Sequence, residues 1–221
     1  MIKAVILDFD DTLCPTEAAC FDLENETLRR IGRPPMSREI HKKTWGMSFA
    51  KAIALRSPGV DVEKFMKVSD SVLAEFLKDG LIDVVPEANY LALDQLIESG
   101  MQVIILTSRA HWEIKHLLDP NHRLASRVKA FYYKDIMQHH KPDPRAFDVL
   151  LQEHNLSPQE CVYVGDSVSD GIAAKGANLH FIASLESGIR QKQDFKDVTV
   201  DAFIDNFTDL TKAVDFLAKR Q

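Results

Sequence analysis

Asp8, Asp10 and Asp11 crowd the end of a short apolar run. Carboxylates at that spacing can supply a nucleophile and a proton donor to one substrate. Three other points have the same character. Thr107-Ser108-Arg109 follows the run Gln102–Leu106. Gly165-Asp166-Ser167 follows Cys161–Val164, with Asp170 four residues on. Lys141 precedes the helix start Asp143-Pro144. In open α/β sheets, ligands bind beyond the carboxyl ends of the strands, so these points should converge on one crevice. It would hold several carboxylates, a hydroxyl pair and an ammonium. Carboxylates so close repel one another unless a positive charge sits among them. Oxygen-only ligands suit Mg²⁺ rather than zinc, which makes Asp8, Asp10, Asp166 and Asp170 the candidate metal residues. With the metal in place, Asp8 can be ionised yet exposed, a nucleophile for phosphorus. Thr107, Ser108 and Lys141 are the candidate phosphate-binding side chains, helped by backbone N–H groups of the first loop. Asp10, two residues from Asp8, can reach the far end of an in-line displacement. There it would give a proton to the leaving oxygen and later take one from water.

These residues need a scaffold. Ile2–Leu7 reads as a strand buried on both faces, because its apolar run is continuous rather than alternating. Similar runs recur at Gln102–Leu106, Val128–Tyr132, Cys161–Val164 and Leu179–Ile182. Helical patterns separate them at Glu87–Glu98, Trp112–Leu118, Pro144–His154 and Asp170–Lys175. The alternation predicts an α/β fold with a parallel-sheet, Rossmann-like core. Gly100 marks a left-handed helix end, and Asp143-Pro144 an N-cap followed by proline at the first helical position. Between the first two strands lie only helical patterns: Thr16–Ile31, Ser37–Thr44, Ser48–Arg56 and Asp61–Asp79. We therefore expect an inserted α-helical cap subdomain over 15–83, and a catalytic core over 1–14 and 84–221.

The 221-residue chain is 45% hydrophobic and 27% charged, an ordinary globular composition that fits a core plus a small insert. Its net charge of -6 and pI of about 5.7 give no sign of a nucleic-acid partner. No run approaches the roughly 20 apolar residues of a membrane span. Three scattered cysteines, Cys14, Cys20 and Cys161, make no disulfide framework. We expect a cytoplasmic protein, a monomer or homodimer, acting on a small phosphorylated substrate.

Taken together, Asp8-Phe9-Asp10-Asp11-Thr12-Leu13, Thr107, Lys141-Pro142-Asp143-Pro144 and Gly165-Asp166-Ser167-Val168-Ser169-Asp170 resemble the four motifs of the haloacid dehalogenase-like superfamily. The order matches too, and the helical insert is similar to the cap of the phosphoglycolate phosphatase and β-phosphoglucomutase branch. Val200–Leu210 looks like the usual last strand and helix. The resemblance implies a Mg²⁺-dependent phosphatase working through an aspartyl-phosphate. Asp8 matches the nucleophile and Asp10 the general acid/base, whose backbone carbonyl would ligate the metal. Asp166 matches the remaining metal ligand. Asp170 would act on the metal through water or orient Lys141, and Thr107 and Lys141 match the phosphate pair. Trp45-Gly46-Met47 falls where relatives place a substrate-selecting loop. The chain departs from the pattern at Asp11, where glycine is common, at Pro86-Glu87-Ala88, and at Arg109.

Blander readings compete. Trp45 and Met47 also suit cap packing, His139-His140 reads as an exposed loop, and Arg109 suits a surface ion pair as well as a substrate contact. A sugar-phosphate mutase would share the chemistry but return the phosphoryl group. A non-catalytic phosphate- or metal-binding regulator is the third reading. Asp10 argues against dehalogenase and phosphonatase branches, which lack the second aspartate.

Overall fold

The structure, a computed structural model, describes residues 1–220. They fall into two compact units, one of Met1–Leu13 with the chain from Val85 onward, the other Cys14–Val84.

The first unit is built on six strands: β1 (Ala4–Leu7), β2 (Gln102–Leu106), β3 (Ala130–Tyr132), β4 (Cys161–Gly165), β5 (His180–Ser184) and β6 (Ala202–Ile204). They form one parallel sheet in the order β3-β2-β1-β4-β5-β6. Strand β1 is central: Ala4 lies opposite Gln102 on one side and Cys161 on the other. All four of its residues are buried, as its unbroken apolar run requires. Helices α5 (Glu87–Glu98), α6 (His111–Ile114), α7 (Asp148–Glu153), α8 (Val168–Gly176) and α9 (Leu210–Ala218) complete this unit. Its core joins Ile6, Ile104, Phe147, Tyr163 and Phe181. No helix among the described residues is long and apolar enough to cross a membrane.

The second unit is helical: α1 (Glu17–Arg30), α2 (Arg38–Lys43), α3 (Phe49–Arg56) and α4 (Val62–Lys78). Two small apolar clusters hold it, one around Leu28, Ile53 and Phe65, the other around Leu23, Val72 and Ile82. The unit also holds a network of buried polar and charged side chains, Glu17, Glu24, His41, Thr44 and Arg56, with no signature in the local sequence. Arg56 Nη1 lies 2.6 Å from Glu24 Oε1, and its Nε donates to Thr44 Oγ1 at 2.8 Å. His41 Nδ1 lies 2.7 Å from Glu17 Oε1, while Arg38 Nη2 meets Glu17 Oε2 at 2.5 Å.

Several expected elements come out differently. The helix expected over Trp112–Leu118 stops at Ile114. Pro120 lies ahead and biases Asp119 away from helical geometry, so the chain leaves through turns. Pro144–His154 begins as a 3₁₀ turn, Pro144–Phe147, before α7. The third strand starts at Ala130 rather than Val128, as befits an edge strand with one neighbour. The last helix starts at Leu210, so Val200–Leu210 spans β6 and a connecting turn only.

Candidate active site

Asp8 stands where β1 ends. Its N–H donates to the Val164 carbonyl at 2.9 Å, and the Phe9 N–H donates to its Oδ1 at 2.8 Å. The loop then turns through a left-handed residue, Asp11, at φ 51°. Aspartate is among the few non-glycine types that enter that region readily. Asn89 Nδ2 donates to the Leu13 carbonyl at 2.9 Å and closes the loop.

Strand β4 delivers Asp166, and α8 delivers Asp170. Ser167 caps α8: its Oγ accepts from the Asp170 N–H at 3.2 Å, while Asp170 Oδ2 accepts from the Ser167 N–H at 3.0 Å and from its hydroxyl at 2.5 Å. Gly165 makes room for this. A Cβ there would stand 2.5 Å from Asp170 Cγ, a hard overlap. The result is that Asp8, Asp166 and Asp170 each bring one carboxylate oxygen within 4.8 Å of the other two.

One ammonium reaches this cluster. Lys141 Nζ lies 3.1 Å from Asp8 Oδ1, 2.7 Å from Asp170 Oδ1 and 2.8 Å from Tyr163 Oη. An ammonium has three hydrogens, and these three acceptors match them. Tyr163 Oη donates to Asp170 Oδ1 at 3.0 Å. Each Asp170 oxygen therefore already accepts two bonds, which suits a carboxylate that positions Lys141. The Lys141-Pro142 peptide bond is cis.

The balance of charge is unfavourable to the carboxylates. Burial pushes the Asp8 carboxyl up to about 7; Lys141 opposes this, and Asp170 and Asp10 add to it. Burial likewise raises Asp166 well above the usual carboxylate range, with Asp170, Asp8 and Asp11 adding repulsion. Burial works against the charge of Lys141, but Asp170 and Asp8 together hold its pKa above the ordinary lysine value. Burial and then Asp170 keep the Tyr163 hydroxyl protonated.

The other expected residues are placed as follows. Thr107 is buried just past β2, and its Oγ1 accepts from the Arg109 N–H at 3.2 Å. Ser108 is exposed. Asp10 does not join the three-carboxylate cluster; both its oxygens face Arg109, with Nη2–Oδ1 at 2.6 Å and Nε–Oδ2 at 2.9 Å. Trp45, Gly46 and Met47 belong to the helical unit. Trp45 packs 5.2 Å from the His41 ring and 5.9 Å from the Arg56 guanidinium, Gly46 takes φ +85°, and Met47 is exposed.

Sequence reasoning gave no role to two residues the geometry brings forward. Tyr163 carries the only side-chain hydroxyl in a strand buried at every position, and a polar atom there must find partners inside. That was a readable signal. Gly165 was quoted within its motif, but its close approach to Asp170 needs the fold to be seen.

A profile of the family described as "Haloacid dehalogenase-like hydrolase" matches residues 5–184, from β1 through the end of β5. The chain belongs to this family. Among curated relatives of this hydrolase is "Phosphoglycolate phosphatase 1" of Pseudomonas aeruginosa, 24% identical over 98% of the chain and 81% of that protein. Another is "Glyceraldehyde 3-phosphate phosphatase" of Methanopyrus kandleri, 26% identical over 99% of the chain and all of that protein. Among solved structures, CbbY from Rhodobacter sphaeroides in complex with phosphate has the same fold, with a TM-score of 0.79 at 21% identity, covering 97% of this chain and 100% of that one.

Proposed function

We propose that this hydrolase is a Mg²⁺-dependent phosphatase of small phosphorylated metabolites, and that its reaction passes through an aspartyl-phosphate on Asp8. One observation carries the reading. Three buried carboxylates, Asp8, Asp166 and Asp170, each bring an oxygen within 4.8 Å of the other two, and the buried ammonium of Lys141 pairs with Asp8 and Asp170. Their negative charge exceeds what Lys141 can balance, and their donor atoms are all oxygen, so a hard divalent cation fits the site. Asp8, Asp166 and the backbone carbonyl of Asp10 would hold it, with Asp170 outside the direct ligands. Bound there, the ion would neutralise phosphate charge and keep Asp8 ionised at neutral pH.

The residues then divide the work. Asp8 attacks phosphorus through a carboxylate oxygen, forming an O–P bond (an acyl phosphate, a mixed anhydride) while the bond to the leaving oxygen breaks. Asp10 protonates that oxygen, then takes a proton from the water that hydrolyses the aspartyl-phosphate. Lys141 and Thr107 bind phosphoryl oxygens, and Lys141 does so by exchanging part of its present contact set. Both curated relatives are named phosphatases, which supports hydrolysis over mutase chemistry. Phosphoglycolate and glyceraldehyde 3-phosphate are accordingly the first substrates to try. The test is phosphate release from a panel of esters with Mg²⁺ and with EDTA. Mg²⁺-dependent release is the expected result. Isomerisation of a sugar 1-phosphate without free phosphate would point to a mutase instead, and metal binding with no turnover of any ester to a regulator.

Metal and proton compete for Asp8. Its pKa is raised from 3.8 to about 7 on folding, so this carboxyl contributes stability below about pH 4 and loses it as pH climbs towards 7. A cation supplies the missing charge only once the proton has left. The gain in Tm from saturating Mg²⁺ should therefore grow steadily from pH 5 to pH 8. A gain that is the same at both ends, measured by thermal melts in matched buffers, would rule this coupling out.

A further inference from the structure

Tyr163 is fully buried in β4, opposite Ile6 on one side and Phe181 on the other. The Phe147 ring meets it edge-on at 4.9 Å, so the tyrosine ring is packed in place. Its hydroxyl ends inside the charged cluster, where the direction of each hydrogen bond is forced. An ammonium can only donate, so Tyr163 Oη accepts from Lys141 Nζ at 2.8 Å. The hydrogen of the hydroxyl then goes to Asp170 Oδ1 at 3.0 Å. Lys141 Nζ donates to the same oxygen at 2.7 Å. The three atoms close a triangle.

The triangle takes two of the three ammonium hydrogens. The third is left for Asp8 Oδ1, 3.1 Å away. Asp170 is itself tied, because its Oδ2 accepts from the N–H and the hydroxyl of Ser167. Of the three contacts of Lys141, the one to Asp8 is therefore the one open to exchange. Once Asp8 carries a phosphoryl group, its own oxygens lose their charge, whereas Asp170 and Tyr163 are unchanged. The third hydrogen then passes to a phosphoryl oxygen while the other two hold. Without the tyrosine hydroxyl, one hydrogen of a buried ammonium has no acceptor, and the group is free to turn about its Cε–Nζ bond.

Resting on the phosphatase reading above, we infer that Tyr163 is a positioning residue: with Asp170 it anchors Lys141 so that one N–H faces the phosphoryl group throughout the reaction. The tyrosine itself touches no reacting atom. A bound phosphate ester, with several charged oxygens, tolerates a range of ammonium orientations. The in-line transition state fixes where its charge lies, and only a donor already aimed there lowers the barrier. Tyr163 therefore acts on turnover more than on substrate binding.

The test is Tyr163→Phe, which keeps the packed ring and deletes the hydroxyl. With Mg²⁺ and the best ester of the panel, kcat should fall roughly 10- to 100-fold, the scale for a slightly misplaced catalytic group, while KM stays nearly constant. Inhibition should split the same way. Orthovanadate, which adopts the five-coordinate geometry of in-line displacement, should bind roughly tenfold more weakly, and inorganic phosphate nearly as before. Phe147→Leu is the packing control: it should lower Tm and leave the ratio of vanadate to phosphate affinity unchanged. In metal-free wild type, the Lys141 ammonium should give a slowly exchanging signal in ¹⁵N NMR, identified by its absence from Lys141→Met. Tyr163→Phe should broaden or remove that signal. Equal losses of vanadate and phosphate affinity, a loss confined to KM or to Tm, the same change of ratio in Phe147→Leu, or an unchanged ammonium signal would each overturn the inference. If wild type hydrolyses no ester, the phosphatase reading has failed, and the positioning role falls with it even where the ammonium signal shows Lys141 held by Tyr163.

Discussion

Asp8→Asn should abolish phosphate release, by about 10⁴-fold or more, the scale seen when a covalent nucleophile is removed. The change is nearly isosteric. Oδ1 can still accept from the Phe9 N–H, and the backbone bond to Val164 is untouched. The variant should therefore fold at least as well as wild type. It also removes one of three buried like charges, so its Tm without metal should match or exceed that of wild type above pH 7. Phosphate release and thermal melts on the same preparation separate chemistry from folding. A folded variant that keeps even a tenth of wild-type activity would remove Asp8 from the mechanism. A nearby carboxylate acting on water would then be the better account.

Lys141→Met should damage both stability and turnover. The methionine keeps much of the stem volume but leaves Asp8, Asp170 and Tyr163 facing one another without the ammonium that joins them. Breaking a buried charge pair by removing one partner costs about 3–5 kcal/mol. Part of that cost can be avoided if the carboxyls bind protons. Hence the loss should be larger at pH 8 than at pH 5, read from urea unfolding at the two values. Turnover should fall roughly 100- to 1,000-fold, the range for removing one donor to developing negative charge. Lys141→Arg should not rescue it, since a planar fork cannot point three hydrogens at Asp8, Asp170 and Tyr163 together. A destabilisation that is equal at both pH values would mean that packing, not charge, explains the position of Lys141.

The sheet was legible in the sequence because its central strands are continuous apolar runs. β1, β2 and β4 fall within a residue or two of where Ile2–Leu7, Gln102–Leu106 and Cys161–Val164 predicted them. The helical insert was legible for the complementary reason, since its stripes follow a period near 3.6 without any alternating run. Turns were read less well. Trp112 to Leu118 has a helical spacing of apolar residues, yet the approach of Pro120 outweighs it after Ile114. The candidate site divides similarly. Asp8, Asp166 and Asp170 announce themselves by following strand ends. The grip of Arg109 on Asp10 does not, because it depends on where two long-separated side chains point. Nor does the pairing of Glu24 with Arg56, which no local pattern connects. Motif order points to the reacting groups, whereas the contacts that tune them come from packing.

The place of β1 in the sheet also has a meaning for biosynthesis. Ala4 leaves a ribosome well before its two partners, Gln102 and Cys161. At roughly 5–20 residues per second, the interval before Cys161 emerges is on the order of ten seconds or more. For that time the apolar strand leading to Asp8 has no finished sheet to enter. The helical unit, whose sequence is complete by Val84, can assemble meanwhile from local contacts. A nascent chain of this hydrolase would therefore carry a formed insert beside an unsealed core. Stalling synthesis shortly before β4 should expose the run Ala4–Leu7 to chaperones or to aggregation, and extending past Gly165 should hide it.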